Sequence, residues 1–252
     1  MRTAVCQTFC IDSDLEGNLK RMEYAVATAA AHGALLVCLP ECADLGWVNP
    51  DAHTLAGPIP GPTSDRIGAM ARKHGLMISV GLCEKEGDQL YDSAILVGSD
   101  GAILARHRKI NTLRELLTPP YTRGRPEDIQ VVETPLGRVG LLICADTFRE
   151  DLVDRVAAQS PDLLIVPYGW AAPKEKWPDH AKSLAGVVSG AAKRAGCAVV
   201  GTDVVGSITH GPWTGQTYGG ASVVADRGGN IIATLRDRDA EVRIVEVPVG
   251  RQ

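Results

Sequence analysis

The sequence predicts an α/β protein of layered sheets and helices. Two observations carry that prediction. Short apolar, β-rich runs alternate along the chain with amphipathic stretches ended by glycine. Turn chemistry at Ser99-Asp-Gly101 and Pro135-Leu-Gly137 adds antiparallel hairpins to those helical crossovers. Helices able to cover both outer faces of mixed strands imply a layered architecture. Periodicity alone does not separate one mixed sheet from two stacked sheets.

The elements follow in order. Residues 3–9 read as a strand and 15–32 as an Ala-rich helix that Gly33 ends. A strand at 34–39 leads through the Pro/Gly-rich segment 57–62, read as a rigid loop between a strand and a helix, to a helix over 63–74 closed by Gly75. Strands follow at 76–83, 93–98 and 102–109, then at 130–134 and 138–144. The second half continues with a helix at 149–159, an apolar strand at 163–167, a helix at 178–194 and a strand at 198–205. Three further strands, at 221–225, 230–235 and 241–247, read as a C-terminal meander. No internal repeat or long linker interrupts the pattern, so residues 1–252 are expected to form a single domain.

Composition narrows the function classes. With 45% hydrophobic and 22% charged residues, the chain has the balance of a soluble globular enzyme. Its formal net charge of -4 offers no basic face to nucleic acid. No run approaches the about 18 apolar residues of a membrane span, so no membrane partner is expected. The N-terminus enters a strand-like run directly, without the pattern of a secretory signal, which predicts a cytoplasmic protein. Seven cysteines spread over a long chain argue against a disulfide framework, and Cys6, Cys38, Cys83 and Cys197 sit in apolar contexts.

Three strand ends share one pattern. The run Val139-Gly-Leu-Leu-Ile stops at Cys144, Leu35-Leu-Val-Cys-Leu-Pro stops at Glu41, and an extended segment from Ile103 runs into Lys109. Together they would collect a thiol, a carboxylate and an ammonium at one sheet edge. That set is sufficient for acyl hydrolysis. The thiol attacks a carbonyl or nitrile carbon, a base moves its proton, and a fixed positive charge favours thiolate and the developing oxyanion. A backbone N–H at the turn after Cys144, that of Ala145, completes an oxyanion hole. No histidine is required.

The chain resembles the nitrilase superfamily, the carbon-nitrogen hydrolases. Glu41 lies in Leu39-Pro-Glu-Cys-Ala-Asp-Leu-Gly-Trp47, Lys109 in His107-Arg-Lys-Ile-Asn111 and Cys144 in Leu142-Ile-Cys-Ala-Asp146, matching the family triad in order and spacing. Supporting matches run along nearly the whole chain, among them Gly81-Leu-Cys-Glu84 with Leu90-Tyr-Asp-Ser-Ala94. The resemblance implies an α-β-β-α sandwich and a cofactor-independent, metal-independent hydrolase of C–N bonds other than peptide bonds. It implies a small-molecule amide substrate, with nitrile or N-carbamoyl compounds as alternatives, and a homodimer or larger homo-oligomer. It also implies a second glutamate between the lysine and the cysteine, for which Glu115 is the candidate. Asp203 stands where the family often has Asn.

Plainer readings stand beside these. A cysteine after an apolar run is commonly a core residue, and the company of Glu41 and Lys109 is what singles out Cys144. Glu115 is equally suited to a cap or to pairing with Arg114 or Arg123. Tyr168 and Trp170 fit either a substrate-pocket wall or packing, and Trp47 and Tyr121 are weaker candidates of the same kind. Cys38, Cys42 and His32 lack the spacing of a zinc site. His107 would share the strand face of Lys109 and offers a Cys-His alternative. A catalytically silent binding or scaffold protein of the same fold is the reading from a different class.

Overall fold

The structure is a computed structural model, and it describes residues 1–177 and 179–250 of the chain. In chain order, the first half contains β1 (Arg2–Gln7), α1 (Leu15–Ala31), β2 (Leu36–Cys38), α2 (Ala52–Leu55), α3 (Pro62–His74), β3 (Met77–Glu86), β4 (Gln89–Val97) and β5 (Ile103–Arg108). The second half contains β6 (Val131–Thr134), β7 (Gly137–Leu141), α4 (Glu150–Ala157), β8 (Leu163–Tyr168), β9 (Ala171–Ala172), α5 (Asp179–Ala195), β10 (Ala198–Asp203), β11 (Val205–Ser207), β12 (Thr217–Gly219), β13 (Val223–Ala225), β14 (Ile231–Thr234) and β15 (Glu241–Glu246).

These strands form two six-stranded sheets, ordered β15-β1-β2-β3-β4-β5 and β14-β13-β10-β8-β7-β6, with a small third sheet β11-β12-β9. The helices α1 and α3 cover the outer face of the first sheet, and α5 with α4 covers that of the second. The result is the α-β-β-α sandwich that the resemblance implies.

The two-residue period of the strands builds the layers. Ala4, Cys6 and Val37 point outward and pack with Leu19, Met22, Val26, Ile67 and Met70 of the helices. Their neighbours Val5, Leu36 and Cys38 point inward and join Val139, Leu141, Ile165 and Val200 of the opposing sheet. The helix ends follow their local chemistry. Asp14 caps α1 by accepting a hydrogen bond from Gly17 N–H at 3.1 Å, and Gly75 closes α3 in the left-handed region at φ +65°.

Three expectations are corrected. The C-terminal strands do not form one meander: β13 and β14 pair as a hairpin in the second sheet, whereas β15 crosses to the first and runs antiparallel to β1, from Arg2 opposite Glu246 to Gln7 opposite Glu241. The strand read over 138–144 stops at Leu141, and Cys144 begins a 3₁₀ turn, Cys144–Phe148. The segment 57–62 follows the short helix α2, not a strand. The predicted helix start at Pro178 lies outside the described residues. All seven cysteines are buried free thiols, and no helix among the described residues is long and apolar enough to cross a membrane.

Candidate active site

Glu41, Lys109 and Cys144 follow the carboxyl ends of β2, β5 and β7, which all open on one side of the sandwich. Backbone pairing fixes each of the first two. The Glu41 segment lies along β3, where Gly81 N–H donates to Pro40 O and Ala43 N–H donates to Gly81 O, both at 2.9 Å. Lys109 continues β5 by donating its N–H to Asp92 O at 2.8 Å. The hairpin beneath it is tied by the buried Glu84 carboxylate, which accepts from Arg106 Nη1 at 2.8 Å, Arg108 Nε at 3.0 Å and Ser93 Oγ at 2.6 Å. Strand alternation then sends Arg108 toward Glu84 and Lys109 into the site.

The Cys144 turn is clamped to the Lys109 segment by Asp146. Its Oδ1 accepts from Ile110 N–H at 3.0 Å and Asn111 N–H at 2.8 Å, and Asn111 Nδ2 donates to Ala145 O at 2.8 Å. The other oxygen, Oδ2, lies 2.8 Å from His107 Nε2. The imidazole is thus engaged with Asp146, which displaces the Cys-His alternative. Cys144 itself has φ +41°, a left-handed backbone that a non-glycine residue rarely adopts. Thr147 Oγ1 donates to Cys144 O at 2.7 Å, holding that strained turn from below.

At the centre, the Lys109 ammonium donates to Glu41 Oε1 and to Asp92 Oδ2, the latter at 3.1 Å. All three side chains are buried to within 1%. Cys144 keeps 5% of its surface, and Gly169 lies against Glu41 Oε2, at the start of the loop after β8. The Trp47 ring stands 5.4 Å from Lys109 Nζ, anchored by its backbone N–H and O to the Tyr218 hydroxyl, both at 3.1 Å.

The carbon-nitrogen hydrolase family matches residues 2–251. The chain belongs to that family. Among curated proteins it is 31% identical over 165 residues to a bifunctional nitrilase/nitrile hydratase (NIT4B) of Nicotiana tabacum, covering 57% of this chain and 47% of that protein. It is 30% identical over 158 residues to an omega-amidase (NIT2) of Xenopus tropicalis, covering 60% of this chain and 57% of that one. The chain thus spans about half the length of the curated relatives it matches. Among solved structures, an amidase from Nesterenkonia sp. AN1 superposes with a TM-score of 0.85 at 23% identity, over 98% of this chain and 93% of that one, which shows the fold.

Electrostatics at the site differ from the sequence expectation in one respect. Burial pushes the Cys144 thiol well above its ordinary range, reinforced by the Glu41 carboxylate. Lys109 and the Gly169 amide pull the other way without offsetting it. Lys109 therefore maintains no standing thiolate, and the sulfur must lose its proton as it attacks. Burial likewise raises Glu41 well above the carboxylate range; Lys109 lowers it and Asp92 raises it again. A carboxylate so raised holds a proton more readily than a free one and is suited to take one from the thiol and return it.

The other predicted residues fall as follows. Ala145 sits on the Cys144 turn, fully buried, and Asn111 holds its carbonyl. Tyr168 is completely buried, its hydroxyl 3.2 Å from Thr147 Oγ1, so it packs behind the turn. Trp170 keeps 9% of its surface, stacked on His180 and edge-on to Phe148. Tyr121 is buried, with its hydroxyl accepting from Val48 N–H at 3.2 Å. Glu115, the candidate second glutamate, stands apart from the buried cluster. It lies exposed on a 3₁₀ turn, Arg114–Leu116, and makes no ion pair among the described residues, because the 111–124 loop carries it to the surface. Cys38 and Cys42 are buried while His32 is exposed and turned to Thr28 O, so those three side chains do not converge. Sequence reasoning missed Asp92, Asp146 and Gly169. The signal for Asp92 was an acid inside an apolar run, Leu90-Tyr-Asp-Ser-Ala94.

Gly81 tests how closely the Glu41 segment must approach β3. A Cβ there would meet Glu41 Cα at 2.5 Å and Pro40 O at 2.8 Å, both backbone atoms. Gly81→Ala is expected to cost roughly 1–3 kcal/mol of stability through overpacking and to reduce turnover by displacing Glu41. Thermal unfolding and steady-state kinetics of the purified variant read the two effects.

Proposed function

We propose that the chain hydrolyses the C–N bond of a small-molecule amide through a thioester on Cys144, releasing ammonia or an amine and a carboxylic acid. The observation that carries this reading is the meeting of Glu41, Lys109 and the Cys144 turn, from three distant segments, in one buried cluster. Similarity to an omega-amidase supports an amide. So does an amidase of the same fold, solved with the acetamide moiety of fluoroacetamide added at its active site cysteine.

In the reaction, Glu41 takes the thiol proton as Sγ bonds to the carbonyl carbon. The Lys109 ammonium and the Ala145 N–H receive the developing oxyanion. Glu41 then passes its proton to the departing nitrogen as the C–N bond breaks, leaving the acyl group on sulfur. Water enters, Glu41 accepts one of its protons, the carbonyl carbon gains the oxygen, and the C–S bond breaks to regenerate the thiol. The small surface left to Cys144 favours small substrates.

A nitrile substrate is the second reading, favoured by the similarity to plant nitrilases. Incubation with amides, nitriles and N-carbamoyl compounds, followed by intact-mass analysis, distinguishes them. Amides are expected to leave an acyl adduct on Cys144 and release ammonia or amine. Nitriles alone giving an adduct would overturn the amide assignment. If no compound labels the protein, and Cys144 reacts with iodoacetamide no faster than the other thiols, the scaffold reading replaces the enzymatic one.

A further inference from the structure

The cluster holds one carboxylate more than the reaction above uses. Asp92 projects from the middle of the β3-β4-β5 hairpin, fully buried, with Oδ2 3.1 Å from Lys109 Nζ. Its Oδ1 and the Glu41 Oε2 are both buried with no hydrogen-bond partner among the described residues. Two buried anions thus share a single ammonium, an arrangement that costs desolvation and needs a reason.

The reason lies in the proton transfers. When Glu41 accepts the thiol proton it becomes neutral and stops supporting the ammonium, at the moment the oxyanion needs full positive charge. A lone ammonium in this buried cluster would shed its proton. We propose that Asp92 is a positioning residue of the reaction, the permanent counter-ion that keeps Lys109 charged and in place while Glu41 cycles between ionised and protonated forms. This inference rests on the triad reading. The charge balance agrees with it: burial alone would lower Lys109, but Asp92 first and then Glu41 and Cys144 hold it well above its ordinary value.

Other groups facing the cluster do not supply that charge. Cys42, Cys83, Tyr121, Tyr168 and Tyr218 are held above their ordinary values by their surroundings, with Cys83 at about 11, and remain neutral near pH 7. Asp44, pushed up to about 7 by burial, accepts from Cys83 N–H at 3.0 Å and reaches the cluster only through Cys83. It is common to wild type and variant in the comparison below.

Asp92→Asn keeps the shape and removes the charge. The expected result is a fall in kcat of roughly 10²-fold with KM little changed. Without the second anion both Glu41 and Lys109 titrate lower, so the acid and alkaline limbs of the kcat profile both move to lower pH. The pH midpoint for iodoacetamide alkylation of Cys144, followed by peptide mapping, moves down with them. Asp92→Ser is the second variant, and thermal melts report folding of both. Wild-type kcat and unmoved pH midpoints, with or without a lower melting temperature, would overturn the proposal by leaving Asp92 a structural part only. Failure of both variants to fold would overturn it on the same ground. If wild type turns over none of the amides, nitriles and carbamoyl compounds, the triad reading fails, whereas the alkylation midpoints still report on Asp92.

Discussion

Lys109→Met is expected to destabilise the protein by about 3–5 kcal/mol, because it leaves the Glu41 and Asp92 carboxylates buried together without their cation. For a chain of this size that corresponds to a fall in melting temperature on the order of 10 °C. The loss should depend on pH with a definite sign. Glu41 is already raised in the folded protein, and removing Lys109 raises it further. A carboxyl raised on folding contributes against stability once pH passes its unfolded value. The variant should therefore recover part of its stability on acidification, as Glu41 protonates, and lose most at neutral pH and above. Differential scanning calorimetry between pH 5 and pH 8 checks this. A variant as stable as wild type across that range would show that the Glu41 and Asp92 carboxylates do not depend on the Lys109 cation. By contrast, removing the exposed Lys182 that pairs with Asp179 should change stability little.

Cys144→Ala is expected to abolish turnover, by about 10⁴-fold or more, while leaving the fold intact. Among the described residues, no hydrogen bond within its turn runs to the sulfur. The turn is ordered by Asp146, Thr147 and Asn111, which hold the backbone on either side. Steady-state assays on an amide that wild type hydrolyses, together with a melting curve, provide the check. Full activity in this variant would end the covalent mechanism. The two substitutions separate roles: Lys109→Met removes stability and activity together, whereas Cys144→Ala removes activity alone.

Much of the site was legible because Glu41 and Cys144 follow apolar runs and Lys109 an extended segment, and a strand end is visible from local pattern. The helices at 15–31, 62–74 and 179–195 were legible for the same reason, each having its own glycine stop or Ala-rich face. What escaped depends on partners far away in sequence. Asp92 was missed because the strand was read as starting at Ser93, although β4 begins at Gln89 and buries Asp92 opposite Cys83. The two- and three-residue strands β9, β11 and β12 have no period of their own and exist through mutual pairing. Glu115 was plausible by position between Lys109 and Cys144, but an irregular loop has no period to show which way a side chain faces. The protonated state of the Cys144 thiol follows from burial on all sides, which no local window contains.

The crossing of β15 ties the two ends of the sequence together, with Met1 N–H donating to Val247 O at 2.7 Å and Val247 N–H donating to Met1 O at 2.9 Å. During synthesis, β1 emerges long before β15, and its outer hydrogen-bonding groups stay open until residues 241–246 leave the ribosome. Until then the nascent chain exposes a sticky flank to neighbouring polypeptides. Closure over so long a separation also makes maturation slow relative to helix formation. A chain stopped before residue 241 should therefore aggregate even though Glu41, Lys109 and Cys144 are all present.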